Sequence, residues 1–559
     1  MYYHHAHGAV VQLREDLESL EKELAAFREP SQQHMRWQLQ FKNGQLSLLS
    51  QIKSLQEFLV YGKAALSYLS PFRDIMSASW PQNQTSFLQP AIQQLLQNEQ
   101  SHPCNRLTIL NDASDTLVWR APQRMMFPLI NHYFKCCNAT LPILHENSYR
   151  KHLASLIDPL QDPVVNAICA SACISQCKHA FLTSREKRRL GEYYFQQSTE
   201  LLLDIFDDID KRLDTLLTIN LLQPFMLATL RVSESKKWNT IGIAIALDLT
   251  RQPVTVCTYL DRVRQAIIAR NRILIFVSAH TLDFYAEGKC IDIPAVRLKF
   301  DILPDDCDRT KETLEVINCI SQFLFCPSYI RIANHVRAMS VGRPAEIRLE
   351  DVVYSEEAIL SWWQQLPNHL KLSDTLNSFT QDLVHGCGSI LKLTIAISSL
   401  ILIMSIETAL LSSISVNQQQ HGAQTSFYQR AFETMSYSVD ISILIIRQLD
   451  RLGFCSSPVR LLAKMMDYIA SLVSHHRSAE SEKLKLRMKE LMLEFKKYIL
   501  PDHQVRMSES PYSILTIASS TDSKMPAIAE LYQNYPLPAE AMLFDILQTT
   551  VHKLSTLCK

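Results

Sequence analysis

The sequence has 559 residues, of which 47% are hydrophobic and 20% charged, so the chain can bury a sizeable core and is not disordered throughout. Lys plus Arg and Asp plus Glu number 56 each, so the whole chain carries no excess of positive charge that would draw it to nucleic acid. Glycine occurs 11 times. Because phosphate-binding loops and the nucleophile turns of hydrolases need glycine, this low number argues against nucleotide-binding and hydrolase folds.

The first patterned segment, residues 1–30, is a short heptad helix. Its apolar residues recur in steps of three and four at the a and d positions of a heptad, and they are Val10, Leu13, Leu17, Leu20, Leu24 and Phe27. The pattern ends before Pro30 and is shorter than the roughly three to four heptads of a sustained coiled coil. It fits a dimerisation coil and an amphipathic helix packed on its own chain about equally.

The 14 cysteines of the chain are scattered, and many lie inside apolar runs. No apolar signal-peptide segment precedes the heptad helix, and the first residues include His4, His5 and His7 instead. We therefore expect a reducing compartment, in which most thiols are core residues rather than disulfides. We expect the three histidines to bind metal only adventitiously, because a terminus without structure offers no preformed second shell.

Residues 31–124 are rich in Gln, Ser and Pro and are predicted to form a linker with helical pieces at Leu46–Leu69 and Pro90–Gln100. Residues 125–500 then form a dense helical body. The apolar residues Leu484, Met488, Leu491, Phe495 and Tyr498, for example, step by four, three, four and three, as in an amphipathic helix. The alternation typical of strands is scarce, so we predict an all-α protein with a large multi-helix body.

Three cysteines in this body, Cys169, Cys173 and Cys177, are spaced by four residues. On a helix they would form one stripe about 12 Å long. Three thiolates so far apart cannot reach one zinc ion, whose bonds to sulfur are about 2.3 Å long. The small residues between them favour close helix packing, so we expect core cysteines and no metal site.

The most apolar part of the body, Leu393–Ile406, is a run without charge between Lys392 and Glu407. It is shorter than the roughly 20 residues that a membrane-spanning helix needs. We therefore predict a buried core helix and no membrane contact.

Residues 501–559 are predicted to be a mobile, Ser-rich tail that ends in a helix at Ala539–Leu557. The apolar part of that helix, Leu543–Leu547, fits two interpretations. It could dock on a partner protein, or it could be packed on its own chain.

Acidic residues cluster in two places, and these clusters are Asp204, Asp207, Asp208 and Asp210, and Asp305, Asp306 and Asp308. Paired carboxylates can serve in acid–base catalysis when they are buried, but each cluster lies near a predicted helix end, where solvation is expected. The sequence carries no recognisable signature of a serine hydrolase, a metalloprotease or a kinase. We therefore expect no enzymatic activity and no catalytic residues.

Four stretches in order resemble the regulatory middle homology region of fungal-specific transcription factors of the binuclear zinc-cluster family. They are Leu129–Arg150, with Tyr-Phe, Pro-Ile-Leu-His and Tyr-Arg; Tyr193–Leu249, with a Trp and a final Ala-Leu-Asp-Leu; Arg270–Asp283, followed by Gly and Pro; and Trp362–Leu370, with Trp-x-x-x-Leu-Pro-x-x-Leu. The family-motif positions are Tyr133, Phe134, Pro142, His145, Arg150, Trp238, Asp248, Arg270, Arg272, Asp283, Gly288, Pro294, Trp362, Leu366 and Pro367.

The resemblance implies a nuclear regulator of RNA polymerase II transcription whose helical body responds to a ligand or a partner. The family's DNA-binding module, six closely spaced cysteines that hold two zinc ions, is absent, since no cysteine precedes Cys104. Zinc is therefore expected only if such a cluster lies upstream of Met1. DNA would be reached indirectly or through that missing module, and the expected partners are co-regulators and a second copy or a zinc-cluster factor as a dimer.

A different class of function fits the same sequence. A helical protein-interaction scaffold without DNA binding would share the helical packing of the family, and it would bind stable protein partners without enrichment in the nucleus.

Overall fold

The computed structural model describes residues 38–42, 45–49, 122–175, 177, 179, 182–251, 258–287, 299–340, 347, 349–414, 423–454, 459–473, 478–499 and 536–556. The heptad segment of residues 1–30 lies outside the described residues, as do the motif positions Gly288 and Pro294. The chain divides into two compact units, Met1–Pro71 and Phe72–Lys559.

The described part of the first unit is an antiparallel pair of strands, β1 (Gln38–Lys42) and β2 (Gln45–Leu49). Gln38 pairs with Leu49 and Lys42 with Gln45, so two residues separate the strands in sequence. Those residues are Asn43-Gly44, a dipeptide strongly favoured in two-residue hairpin loops. The helix predicted at Leu46–Leu69 is therefore wrong at its start, where the chain forms β2, and the rest of it lies outside the described residues.

In the second unit the prediction of an all-α protein is confirmed, because the described residues contain sixteen α-helices and no strand. The helices are α1 (Pro122–His132), α2 (Glu146–Ser155), α3 (Pro163–Cys173), α4 (Ser184–Ile205), α5 (Arg212–Ala228), α6 (Val232–Arg251), α7 (Tyr259–Glu287), α8 (Asp308–Leu324), α9 (Pro327–Ser340), α10 (Leu349–Gln365), α11 (Gln381–Gly386), α12 (Ile390–Ile414), α13 (Ala423–Arg451), α14 (Val459–Val473), α15 (Ala479–Lys496) and α16 (Pro538–Thr556). A π-helical turn, Tyr133–Cys137, continues α1 directly.

Helices α1 to α7 enclose the first core. Helix α5 is at its centre, because every residue from Thr215 to Gln223 is buried, so the leucine-rich stretch is covered on all sides. Helices α3 and α4 pack on each other beside α5. Their starts are fixed by side chains: the Asp162 carboxylate accepts from the backbone N–H of Val165, and Thr183 and Glu186 form a capping box.

Helices α8 to α16 enclose the second core, in which α12 packs mainly on α13 and α13 on α15. The predicted amphipathic stripe is confirmed for Leu484, Met488, Leu491 and Phe495, which have no exposed surface, whereas Tyr498 lies beyond the end of α15 and is only partly buried. Burial of such a stripe removes about 1.5–3 kcal/mol of unfavourable hydration per side chain and accounts for the position of this helix.

Helix α12 contains the apolar run Leu393–Ile406 and is longer than the run itself, because it extends through Lys392 and Glu407 to 25 residues. The argument from length against a membrane span is therefore wrong. Within the described part of the chain, α12 by itself is long and apolar enough to cross a membrane, but most of it is buried among the other helices. This burial supports the interpretation as a core helix.

Helix α16 occupies the position of the predicted terminal helix and packs against α14 and α15. Its residues Leu543, Phe544 and Leu547 belong to the second core, and Leu537, just before the helix, belongs to the first. The Arg188 guanidinium of α4 donates to the carbonyl of Pro536. The apolar residues Leu543, Phe544 and Leu547 of α16 are therefore covered by their own chain, which favours the interpretation of a packed terminal helix.

Helices α6 and α7 approach each other closely at Gly242 in the first core, and a substitution at this position tests the contact. A Cβ at Gly242 of α6 would lie 2.9 Å from both Cγ1 and Cδ1 of Ile275 in α7. We expect Gly242→Ala to lower the stability by about 1 kcal/mol net, because the overpacking outweighs a gain in helix propensity of up to about 1 kcal/mol. Thermal unfolding followed by circular dichroism measures the change.

Two controls sharpen this prediction. Gly388→Ala, where a Cβ would meet nothing within 4 Å, should leave the melting temperature within the error of the wild type. In an Ile275→Ala background, where the clash is gone, Gly242→Ala should instead raise the melting temperature. A loss of stability of the same size in both backgrounds would contradict the proposed contact.

The buried carboxyl of Glu407 in α12 makes the stability of the protein depend on pH. Burial raises the pKa of Glu407 from its usual value near 4.5 to about 7, although the Arg430 guanidinium, 3.6 Å away, opposes the shift. Arg430 also pairs with Glu356. Because the folded state keeps a proton between pH 4.5 and 7 that the unfolded state releases, stability should fall as the pH rises through this window.

We expect Glu407→Gln, which is permanently neutral, to remove this dependence and to raise stability above pH 7 by up to about 3 kcal/mol. Melting temperatures of wild type and variant between pH 5 and pH 8 should diverge as the pH rises. The exposed Glu433, changed to Gln, is the control and should follow the wild type. Parallel curves for Glu407→Gln and wild type would refute the shifted pKa.

Candidate functional site

The first motif stretch turns a corner at the end of the π-helical turn. The amide of Asn138 bonds the backbone of Leu144 in both directions: its Nδ2 donates to the carbonyl at 3.1 Å, and its Oδ1 accepts from the N–H at 3.0 Å. Pro142, Ile143 and Leu144 are buried. The corner places His145 at the N-cap position of α2.

His145 is buried beside a charged network. Its Nε2 lies 3.2 Å from Oδ1 of Asp305 and 4.0 Å from Oδ1 of Asp306, and its Nδ1 lies 2.8 Å from Oγ of Ser148. The Arg270 guanidinium forms a two-pronged pair with the Asp306 carboxylate, at 2.8 and 3.4 Å. The motif positions His145 and Arg270 therefore meet at one buried aspartate.

The expectation that the second acidic cluster is solvated is wrong for Asp306. Its side chain is 1% exposed, as is that of Arg270. Asp306 also accepts from the backbone N–H of Leu303, and Arg270 donates to the carbonyl of Asp301. Burying these charges is offset by their mutual attraction and by the added hydrogen bonds. The arrangement fixes the segment before α8 on α7.

Asn271, next to Arg270, connects three of the stretches. Its Nδ2 donates to the carbonyl of Ile143 in the first stretch at 3.0 Å. Nδ2 of Asn220 in α5 donates to the carbonyl and Oδ1 of Asn271, at 3.0 and 2.9 Å. All three contacts are buried, where an unsatisfied amide would cost about 1–3 kcal/mol. No motif or spacing in the sequence marks Asn271 for this role.

The other motif positions take core or surface places. Tyr133 and Phe134 are buried with their rings edge to face, and the Arg150 guanidinium lies 5.2 Å above the Phe134 ring. Trp238 is buried in the first core, and Arg272 is half-buried.

Two acidic motif positions form surface ion pairs, Asp248 with Arg212 and Asp283 with Lys236. In the fourth stretch, Trp362 and Leu366 are buried in the second core, and Pro367 is exposed. Trp362 donates from Nε1 to the carbonyl of Cys319 at 2.9 Å. The fourth stretch therefore belongs to a different core from the other three.

A cluster of histidines and cysteines, defined here as His132, Cys136, Cys177 and His179, lies where α1 ends and the segment after α3 begins. One ligand atom from each of His132, Cys136 and Cys177 lies within 4.8 Å of the others, and all three residues are buried. The sulfur atoms of Cys136 and Cys177 are 3.4 Å apart. Nδ1 of His179, which is exposed, lies 3.2 Å from the Cys177 sulfur and 3.8 Å from the Cys136 sulfur.

The predicted stripe of three cysteines on one helix is wrong at its end. Cys169 and Cys173 are buried in α3, where burial raises the pKa of both thiols and keeps them protonated and inert. The helix ends at Cys173, so Cys177 lies beyond it and reaches Cys136, which is 41 residues away in sequence. Burial lowers the pKa of His132 below 6.5, so its imidazole is neutral at pH 7.

Comparisons of the chain with protein-family models, with curated proteins and with solved structures find no match.

The buried pair of Arg270 and Asp306 yields a mutational test. Asp306→Asn leaves the Arg270 charge uncompensated in the core and should destabilise the protein by about 3–5 kcal/mol. Asp308→Asn, at a side chain that is 99% exposed, is the matched control and should have little effect. Denaturant unfolding of the purified variants measures both changes.

Removal of both charges distinguishes an ion pair from simple packing. The double variant Arg270→Met, Asp306→Asn should be more stable than Asp306→Asn alone, because no uncompensated charge then remains. If the stability losses of the two single variants simply added up in the double variant, the charged network would not be responsible for the loss of stability in Asp306→Asn.

Proposed function

We propose that this chain is the regulatory body of a fungal-type transcription regulator, which controls RNA polymerase II transcription in the nucleus in response to a ligand or a protein partner. The proposal rests on the resemblance of the four stretches. It is supported by the position of Asn271, which belongs to the third stretch and contacts residues of the first two. A resemblance by chance, spread over 150 residues of sequence, would not require its parts to be adjacent.

A second contact supports the same proposal. His145 of the first stretch and Arg270 of the third approach one buried aspartate, Asp306. Arg270 pairs with the Asp306 carboxylate, and His145 Nε2 lies 4.0 Å from it and 3.2 Å from Asp305, so the first and third stretches meet at this acidic segment. Buried polar groups are retained where they fix one arrangement of the packed elements.

The surface charges of the motif stretches favour indirect contact with DNA. Arg150 pairs with Glu146, Arg212 with Asp248 and Lys236 with Asp283. Binding of DNA phosphates needs Lys and Arg side chains that are available to replace counterions. We therefore propose that the body reaches DNA through a zinc-cluster partner or an additional module, and that it contributes regulation.

The test separates a transcription regulator from a helical scaffold outside the nucleus. The full chain is fused to a heterologous DNA-binding domain that recognises a reporter promoter in a fungal cell, and a second copy carries a fluorescent label. A regulator should accumulate in the nucleus and change reporter transcription, in either direction, relative to the DNA-binding domain alone. A scaffold should leave the reporter unchanged and remain outside the nucleus.

A matched pair of variants links the readout to the folded body. Asn271→Leu removes the amide that joins the three stretches and should abolish the reporter effect at equal protein abundance. Asn368→Leu, at an exposed asparagine, should retain it. A wild-type fusion that neither enters the nucleus nor alters the reporter would refute the proposal, whatever the variants do.

A further inference from the structure

We infer that His132, Cys136, Cys177 and His179 bind one zinc ion within the helical body, through two thiolates and two imidazoles. This site is independent of the proposed function. It is also distinct from a six-cysteine cluster, because its ligands come from the first core.

Three of the distances between the ligand atoms approach those of a tetrahedral zinc site. Bonds of about 2.3 Å to sulfur and 2.0–2.1 Å to nitrogen place two sulfurs about 3.8 Å apart and a sulfur and a nitrogen about 3.6 Å apart. The Cys136 and Cys177 sulfurs are 3.4 Å apart. His179 Nδ1 lies 3.2 and 3.8 Å from them, on either side of the ideal value.

The chain brings the ligands together from two segments. His132 is the last residue of α1, and Cys136 lies four residues on, in the π-helical turn. Such turns often occur at functional sites. Cys177 and His179 follow α3 with one residue between them. A metal ion would therefore join the end of α1 to the segment that connects α3 and α4.

Groups around the cluster suit bound metal. The backbone N–H of His179 donates to the Cys177 sulfur at 3.2 Å, a contact that stabilises a thiolate. The backbone N–H of Cys177 donates to Oγ of Ser175 at 3.3 Å. The buried Lys187 donates to the carbonyl of Ser175 at 2.6 Å and fixes the segment that carries Cys177 and His179. Contacts of this kind orient metal ligands.

The chemistry of the four ligands favours zinc over a disulfide. A disulfide requires sulfurs about 2.05 Å apart and would leave both histidines without a role. A set of two sulfur and two nitrogen ligands is typical of zinc. Two thiolates neutralise the Zn²⁺ charge, so the buried site carries no net charge. The exposed His179 provides the side from which the ion enters.

The experiment measures zinc in the purified full-length chain, with His4, His5 and His7 changed to Ala to remove adventitious binding at the terminus. Zinc released by a thiol-blocking reagent is titrated with a colorimetric chelator. We expect about one zinc per chain, and reconstitution with Co²⁺ should give the visible absorption of a tetrahedral site with thiolate ligands. Under non-reducing conditions, intact-mass analysis should show the mass of the chain without a disulfide, so the thiols of Cys136 and Cys177 are both reduced.

Matched variants assign the ligands. Cys136→Ser should lose the zinc, whereas Cys137→Ser, at the adjacent cysteine, should retain it. His179→Ala should weaken zinc binding by about 10-fold or more, since a water would take the fourth position. If Cys136→Ser does not fold, the Co²⁺ spectrum of the protein that retains all its cysteines still shows whether thiolates bind the metal in a tetrahedral site. Zinc that is retained by Cys136→Ser, a Cys136–Cys177 disulfide, or a Co²⁺ spectrum without thiolate bands would overturn the inference.

Discussion

Two adjacent polar residues in the middle of a core helix constrain the first half of the helical body. Arg270 and Asn271 of α7 are buried, and burial of a charge or an amide is tolerated only when it is paired. Their partners come from α5, from the corner after the π-helical turn and from the segment before α8. Apolar surfaces can slide with little change in energy, whereas these pairs satisfy their groups in one arrangement. The helices of the first core are therefore fixed in register by polar contacts inside an apolar environment.

Local periodicity predicts the helical class and several of the individual helices. The spacing of Leu484, Met488, Leu491 and Phe495 gave α15 and its buried face, because the apolar period of a helix is a property of neighbouring residues. The same procedure missed the strands on either side of Asn43-Gly44, although that dipeptide is a hairpin signal. The polar, glutamine-rich composition of this stretch is typical of a linker and conceals the short strands on either side of the dipeptide.

Contacts between residues far apart in sequence could not be predicted in this way. Asp306 seemed to be a solvated turn residue because its partner, Arg270, lies 36 residues earlier. Cys177 was placed on a helical stripe because its spacing from Cys173 suits a helix, but α3 ends at Cys173. The proposed zinc site depends on that ending, which turns Cys177 towards Cys136. The spacing of residues indicates where a helix can form, but it does not indicate where that helix ends in the folded protein.

The position of α16 has a consequence for synthesis on the ribosome. This helix fills the second core against α14 and α15 and is the last of the described helices to be made. Until it emerges, the nascent body exposes the apolar surfaces that Leu543, Phe544 and Leu547 later cover. Exposed surface of this kind makes partly folded chains prone to aggregation. The second core therefore closes only after α16 has left the ribosome, and until then its apolar surface is a risk for aggregation.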